Sequence, residues 1–251
     1  MQYALYYWPT IQGRGEFVRL ALEDAGADYV DVARLPESQG GGERALMEIL
    51  ESAPAGRLPF APPILKAGRQ VIAQTADILL FLGPRLGLVP KGEAARLWAH
   101  QLQLTIADFV SEVHEVHHPV ASSLYYEDQK REAKRRAEDF RGERMPKFLG
   151  YFERVLELNP AGPRYMVGAR VGYIDLSMFQ VIAGLRYAFP RAMKRQQRKY
   201  PRLIELHQRV SERPRIAGYL ASPRRLPFST EGIFRHYPEL DDPAPKKHGA
   251  R

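Results

Sequence analysis

The stretch LPFAPPILKAGRQVIAQTADILLFLG, residues 58–83, decides how the first part of this chain folds. Residues 64–66 and 70–73 are short strand-prone runs on either side of Ala67-Gly68, which predicts a hairpin. Thr75 then reads as the N-cap of a helix, ADILLFLG, that ends at Gly83. Upstream, the aromatic run YALYYW at 3–8 predicts a buried strand and residues 9–15 a turn-rich loop. From Glu16, Phe17, Leu20 and Ala21 recur at helical spacing, with Gly26 as C-cap. Residues 29–32 read as a second strand and 36–42 as loop. The resulting order, β-α-β-(irregular)-β-β-α, is a small α/β layer on an open sheet.

Downstream the pattern changes. Residues 84–92 read as a linker, and from 93 to about 222 the apolar period is helical almost throughout. Breaks are expected at Pro119, Pro146, Asn159-Pro160, Pro190, Pro201 and Pro214. Val171-Gly172-Tyr173-Ile174-Asp175-Leu176 predicts the start of a buried helix. Gly172 is its N-cap, Asp175 at N3 reaches back to the cap, and Val171 and Leu176 form the staple. Residues 224–251 form a Pro-rich tail whose end, DDPAPKKHGAR, is expected to be disordered. The organisation is thus 1–83, a linker at 84–92, a helical domain at 93–223 and the tail.

The 251 residues contain no cysteine, which excludes a disulfide framework, a Cys-ligated zinc site and a cysteine nucleophile. Any thiol chemistry must use a thiol that a ligand brings. No signal sequence or membrane span is apparent, so a cytoplasmic protein without membrane contact is expected. Residues 1–90 carry 8 Lys+Arg and 10 Asp+Glu, so most of the net charge of +8 lies in the helical part. The basic stretches at 130–147 and 191–202 lack the interleaved aromatics of a nucleic-acid platform, so a solvated helical surface is the expected reading.

At this point several motifs resemble those of the glutathione transferases, nearest a tyrosine-type, sigma-like, bacterial-looking member, over about residues 3–225. The first is Leu5-Tyr6-Tyr7-Trp8 followed by Gly13-Arg14-Gly15-Glu16. The resemblance implies that Tyr7 is the catalytic hydroxyl and that Arg14 binds glutathione. Here the loop is one residue longer than the family pattern, and Gln12 replaces its first arginine. The second motif is LPFAPPIL, in which spacing to Gln74-Thr75 marks Pro63 as the family's cis proline and Pro62 as the residue before it. In the family that residue offers both N–H and C=O to glutathione; Pro62 has no N–H. The third is Gln74-Thr75 itself, at a helix N-terminus suited to the γ-glutamyl carboxylate. The Val171–Leu176 element and the YPRL and RPRI runs near residues 200 and 213 resemble the family's last helices.

The resemblance implies a thioredoxin-like α/β N-terminal domain followed by an all-α C-terminal domain, glutathione as co-substrate, a hydrophobic electrophile and a homodimer. A phenol that donates to sulfur favours the thiolate, the competent nucleophile. Asp108 is carried over as the carboxylate that some classes send to a neighbouring subunit's glutathione. Arg44 or Arg57 would hold the glycyl carboxylate, because neither Trp8 nor Trp98 lies where the family's tryptophan does. Trp8, Thr10, His114 and His118 are expected to line the electrophile site, with the tail near Phe228 covering it.

Two other readings stand beside this one. A transferase-like fold can serve as a non-catalytic ligand carrier or interaction module. His114-Glu115-Val116-His117-His118 also satisfies HExxH, the zinc-hydrolase signature. Pro119 follows directly and no third-ligand motif lies downstream, so no metal is expected.

Overall fold

The computed structural model describes residues 2–52 and 56–241. It opens with β1 (Tyr3–Tyr6), α1 (Gly15–Ala25), β2 (Tyr29–Asp31) and α2 (Gly42–Glu51). Next come β3 (Ile64–Ala67), β4 (Gln70–Ala73) and α3 (Thr75–Leu86). The sheet order is β2-β1-β3-β4, with β1 parallel to β2 and the other two pairings antiparallel. Side chains alternate across a strand. Leu65 and Ala67 therefore pack on Val18 and Leu22 of α1 and Ile78 and Leu82 of α3, while Ile64 faces Leu46 and Ile49 of α2.

This thioredoxin-like layer is followed by an all-helical half. Its helices are α4 (Glu93–Glu115), α5 (Lys130–Asp139), α6 (Met145–Glu157), α7 (Tyr173–Ala188), α8 (Pro190–Gln196), α9 (Pro201–Ser211) and α10 (Pro214–Leu220). Phe17, Leu20 and Ala21 of α1 and Leu79 of α3 belong to the helical half's own core. One apolar core therefore crosses the junction and fixes the cleft between the halves. At the start of α7, the Gly172 N–H donates to Asp175 Oδ2 at 2.7 Å, and the Met166 N–H donates to the other oxygen at 2.9 Å.

A polar seam reinforces that junction. Glu16, Arg19, Glu23 and Asp24 of α1 are all buried. Glu16 meets Arg225, Glu23 meets Arg224, and Asp24 accepts from Arg213 Nη2 at 3.0 Å. Part of the charge asymmetry between the halves is thus spent on joining them, not only on a solvated surface.

Several expectations are corrected. α3 does not end at Gly83 but continues through Pro84 to Leu86, with left-handed Gly87 as C-cap. In the last turn, the missing proline N–H removes only one bond. Thr75 is the first residue of α3 and not its cap: its hydroxyl donates to the Arg14 carbonyl at 3.4 Å. Residues 42–51, inside the segment read as irregular, form α2. The break expected at Pro146 is instead a widened π-turn at 140–144, where the Met145 N–H reaches the Phe140 carbonyl. The helix widens by a residue and runs on through the proline. The tail is not loose as far as Asp241. Ile233, Phe234 and Leu240 are buried, and Asp241 accepts the Arg191 and Ala192 N–H groups at 2.6 and 3.0 Å at the start of α8. The remainder of the DDPAPKKHGAR expectation lies outside the described residues.

Candidate functional site

Tyr7 follows the last residue of β1, and its ring is almost wholly buried at 5 % exposure. The loop that leads into α1 is wrapped on it. Gly13 has φ +45°, and a Cβ there would stand 2.0 Å from the Tyr7 hydroxyl. A Cβ at Gly15 would meet the ring at 2.5 Å. These two glycines are what let the backbone close over the phenol. The Arg14 N–H donates to the Tyr7 hydroxyl at 2.7 Å. Burial raises the pKa of Tyr7; the Arg14 and Gly15 N–H groups and the charges of Arg14 and Arg19 act the other way. A phenol oxygen that accepts an N–H is polarised toward donating its own proton.

Arg14 also lines a cavity of about 360 Å³ between α3 and α4, and its Nη2 donates to Ser111 Oγ at 3.4 Å. Gln74, Thr75, Ala76 and Asp77 of the α3 N-terminus line it, opposite Phe17, His100, Gln103, Leu104 and Val110. The free N–H groups of a first helical turn favour a carboxylate there. Asp77 sets a negative group beside them. Gln74 holds φ +68° and ψ 122°, the one non-glycine at positive φ among the described residues. Such a conformation costs on the order of 1–3 kcal/mol and concentrates at functional positions. The Pro62–Pro63 bond is cis, with Pro63 buried at the head of β3 and Pro62 half-buried.

The remaining sequence candidates are placed differently. Gln12 does not point to a ligand: it is buried, accepts from Gln180 Nε2 at 2.8 Å and donates to the Leu226 carbonyl. Asp108 is exposed and lines a separate cleft with Ser111, Glu112 and Arg144. Arg44 is exposed beside Glu48, and Arg57 is exposed. Trp8 and Thr10 are exposed, whereas His114 and His118 line another cleft with Tyr126, Glu231, Arg235 and Tyr237. Phe228 stacks on Tyr187 at 4.9 Å, so the tail reaches that cleft through Thr230, Glu231, Arg235 and Tyr237 instead.

His114, His117 and His118 stand together at the end of α4, with ring centroids 4.9–5.0 Å apart. Burial is the main cause holding all three below the ordinary histidine range, and His114 is pushed down to about 4. The HExxH reading loses its base: Glu115 points outward and bonds Arg136 at 3.2 Å.

Sequence reasoning missed His100 and Gln103. The signal was present, since residues 100, 103, 107, 110 and 114 recur at helical spacing and share the face of α4 that looks into the junction.

Comparison with known proteins gives a consistent answer. Residues 114–223 match the family model for the glutathione S-transferase C-terminal domain. A glutathione S-transferase of Plasmodium falciparum is 24% identical over 223 residues, covering 87% of this chain and 94% of that protein. Glutathione S-transferase P 1 of Xenopus laevis is 26% identical over 225 residues, covering 89% and 93%. Among solved structures, the Pi-class glutathione S-transferase of Onchocerca volvulus superposes with a TM-score of 0.66 at 23% identity, covering 87% of this chain and 92% of that one. The Ascaris lumbricoides enzyme gives 0.65 at 25%, covering 91% and 100%. These relatives are eukaryotic and two carry Pi-class names, so they lend the sigma-like, bacterial-looking comparison no support. The helical half thus matches the glutathione S-transferase C-terminal family model, and most of the chain is similar to proteins named glutathione S-transferase.

Proposed function

We propose that this chain is a tyrosine-type glutathione transferase, in which Tyr7 holds the glutathione thiolate for attack on a hydrophobic electrophile. One observation carries the reading: the Arg14 backbone N–H grips the Tyr7 hydroxyl while Arg14, Gln74 and Thr75 line a single cavity. That cavity offers cationic and N–H groups for a carboxylate and Asp77 for an ammonium, the two charged groups at the γ-glutamyl end. Tyr7 donates to the sulfur, lowering the thiol's pKa from about 8.5 toward neutrality. No covalent enzyme intermediate is involved. The electrophile approaches from the side of Trp8, Thr10 and the His114 and His118 cleft. A cytoplasmic, homodimeric detoxification enzyme is the setting proposed for this chemistry, with Asp108 facing the partner's glutathione.

The test is glutathione conjugation to an aryl halide. Tyr7→Phe should lower kcat/KM on the order of 10²-fold, the range for removing one oriented donor, and raise the pKa of bound glutathione seen in the thiolate absorbance. Wild-type protein that binds glutathione without turnover would instead support the non-catalytic reading, which the missing N–H of Pro62 favours.

A further inference from the structure

We propose that His114, His117 and His118 form a binding site for a divalent transition-metal ion of the zinc, nickel and copper class. One ring nitrogen from each of the three lies within 4.8 Å of the others. Two of the three tautomers are set for ligation. His117 Nε2–H donates to the Ile233 carbonyl at 2.9 Å, and a carbonyl only accepts, so Nδ1 carries the lone pair. That Nδ1 is buried and has no hydrogen-bond partner, on a residue only 2 % exposed. His118 Nδ1–H donates in the same way to the Leu124 carbonyl at 3.0 Å, which leaves Nε2 as its lone-pair atom. The Gln129 amide nitrogen, 3.4 Å from that Nδ1, is occupied by the Ala121 and Leu124 carbonyls at 3.1 Å.

An imidazole held by a backbone carbonyl at one nitrogen and open at the other is the arrangement that metal-bound histidines adopt. A buried lone pair with nothing to accept from calls for an explanation of its own. Three nitrogens on one tetrahedral ion stand roughly 3.3 Å apart at metal–nitrogen bonds of about 2.0–2.1 Å. The rings must close inward by about an ångström or a little more.

Nitrogen-only donors select this class over magnesium and calcium. The set keeps both HExxH histidines but adds His117, and the base of that motif, Glu115, is turned away to Arg136. The cleft of about 760 Å³ beside the rings contains Arg235, whose guanidinium is tied to the Gly232 and Glu231 carbonyls at 2.8 and 3.3 Å. A fixed cation there disfavours a bare dication. It suits an ion whose fourth position holds an anion, such as hydroxide or a carboxylate, with Arg235 balancing that charge. The site stands whether or not the glutathione reading does.

The experiment uses the full-length, tag-free protein, dialysed against a chelator and titrated with Zn²⁺ by calorimetry, with elemental analysis of the product. The expected result is one equivalent bound. His114→Gln and His118→Gln, both at half-buried positions, should each weaken binding at least about tenfold. Uptake no greater in wild type than in the double variant overturns the proposal. A second readout needs no variant: on Zn²⁺ addition, the ¹⁵N ring signals of three histidines should shift together and those of the other four should not. Shifts confined to other histidines, or spread over all seven, overturn it equally.

Discussion

The Tyr219 hydroxyl donates to Glu16 Oε1 at 2.6 Å across 203 residues of chain, and both side chains are essentially excluded from solvent. Glu16 belongs to the first helix after the Tyr7 loop and Tyr219 to the last helix of the bundle. The same carboxylate meets Arg19 at 3.3 Å and also Arg225. Removing one partner of such a buried set leaves charge uncompensated, which costs about 3–5 kcal/mol. Glu16→Ala should therefore lower the unfolding free energy by about that amount. Tyr219→Phe removes one bond to a charged group and should cost about 1.5–3 kcal/mol. Urea denaturation of both variants checks the order; equal effects would show that the hydroxyl, not the charge, is the link that matters.

Gly13→Ala sets a Cβ against the Tyr7 hydroxyl and imposes a left-handed backbone on alanine. The backbone alone costs about 1–2 kcal/mol. The loop must lift to relieve the clash, so the Arg14 N–H leaves the phenol. Conjugation activity should fall more than the melting temperature does, and a variant that loses stability but keeps full kcat would separate the loop from the chemistry.

Gln74→Gly removes the strain of φ +68°. Stability should rise by up to about 1–3 kcal/mol, while the KM for glutathione rises because the side chain that lines the cavity is gone. A KM that stays put would remove Gln74 from the binding set.

Pro62→Val restores a backbone N–H at the position that faces glutathione in the resembled family. One net hydrogen bond is worth about 0.5–1.5 kcal/mol, so glutathione should bind roughly 2- to 12-fold more tightly. Unchanged affinity by calorimetry would mean that the ligand does not use this backbone.

His207 is stacked on Phe179 and accepts from Arg186 at 3.2 Å. Burial first, and the Arg186 charge second, push its pKa down to about 4. A depressed histidine stabilises the fold above its unfolded pKa of about 6.5, and that contribution is lost as pH falls toward 4. The loss is roughly 3 kcal/mol. Asp175 runs opposite: burial raises it to about 7, so its contribution is full below about pH 4 and is lost as pH rises through 7. His207→Gln should flatten the acid side of the stability profile between pH 6.5 and 4, and an unchanged profile would place the titration elsewhere.

Much of this was legible in the sequence, for identifiable reasons. The hairpin around Gly68, the C-cap at Gly26 and the Gly172–Asp175 cap are local, each set by residues within four positions of one another. Tyr7 and the Gln74-Thr75 pair were singled out as site candidates through a family resemblance carried by short motifs of characteristic spacing. α2 escaped because it opens on the last of three consecutive glycines, Gly40 to Gly42. Pro146 misled because a π-turn absorbs a proline that an α-helix would not. His100 and Gln103 were missed because a cavity-lining face and a core-facing face carry the same helical period.

By itself, the sequence determined most of the succession of elements, α2 apart, and the absence of any protein thiol. These follow from local propensity and composition. Only the tertiary structure decided which charges meet across the junction, that Gln12 serves α7 and the chain near Leu226, and that His117 meets the Ile233 carbonyl. The physical reason is that burial and partner choice are properties of chain segments brought together from 100 to 200 residues apart. No local pattern records which carboxylate will be left without water or which imidazole will find a carbonyl.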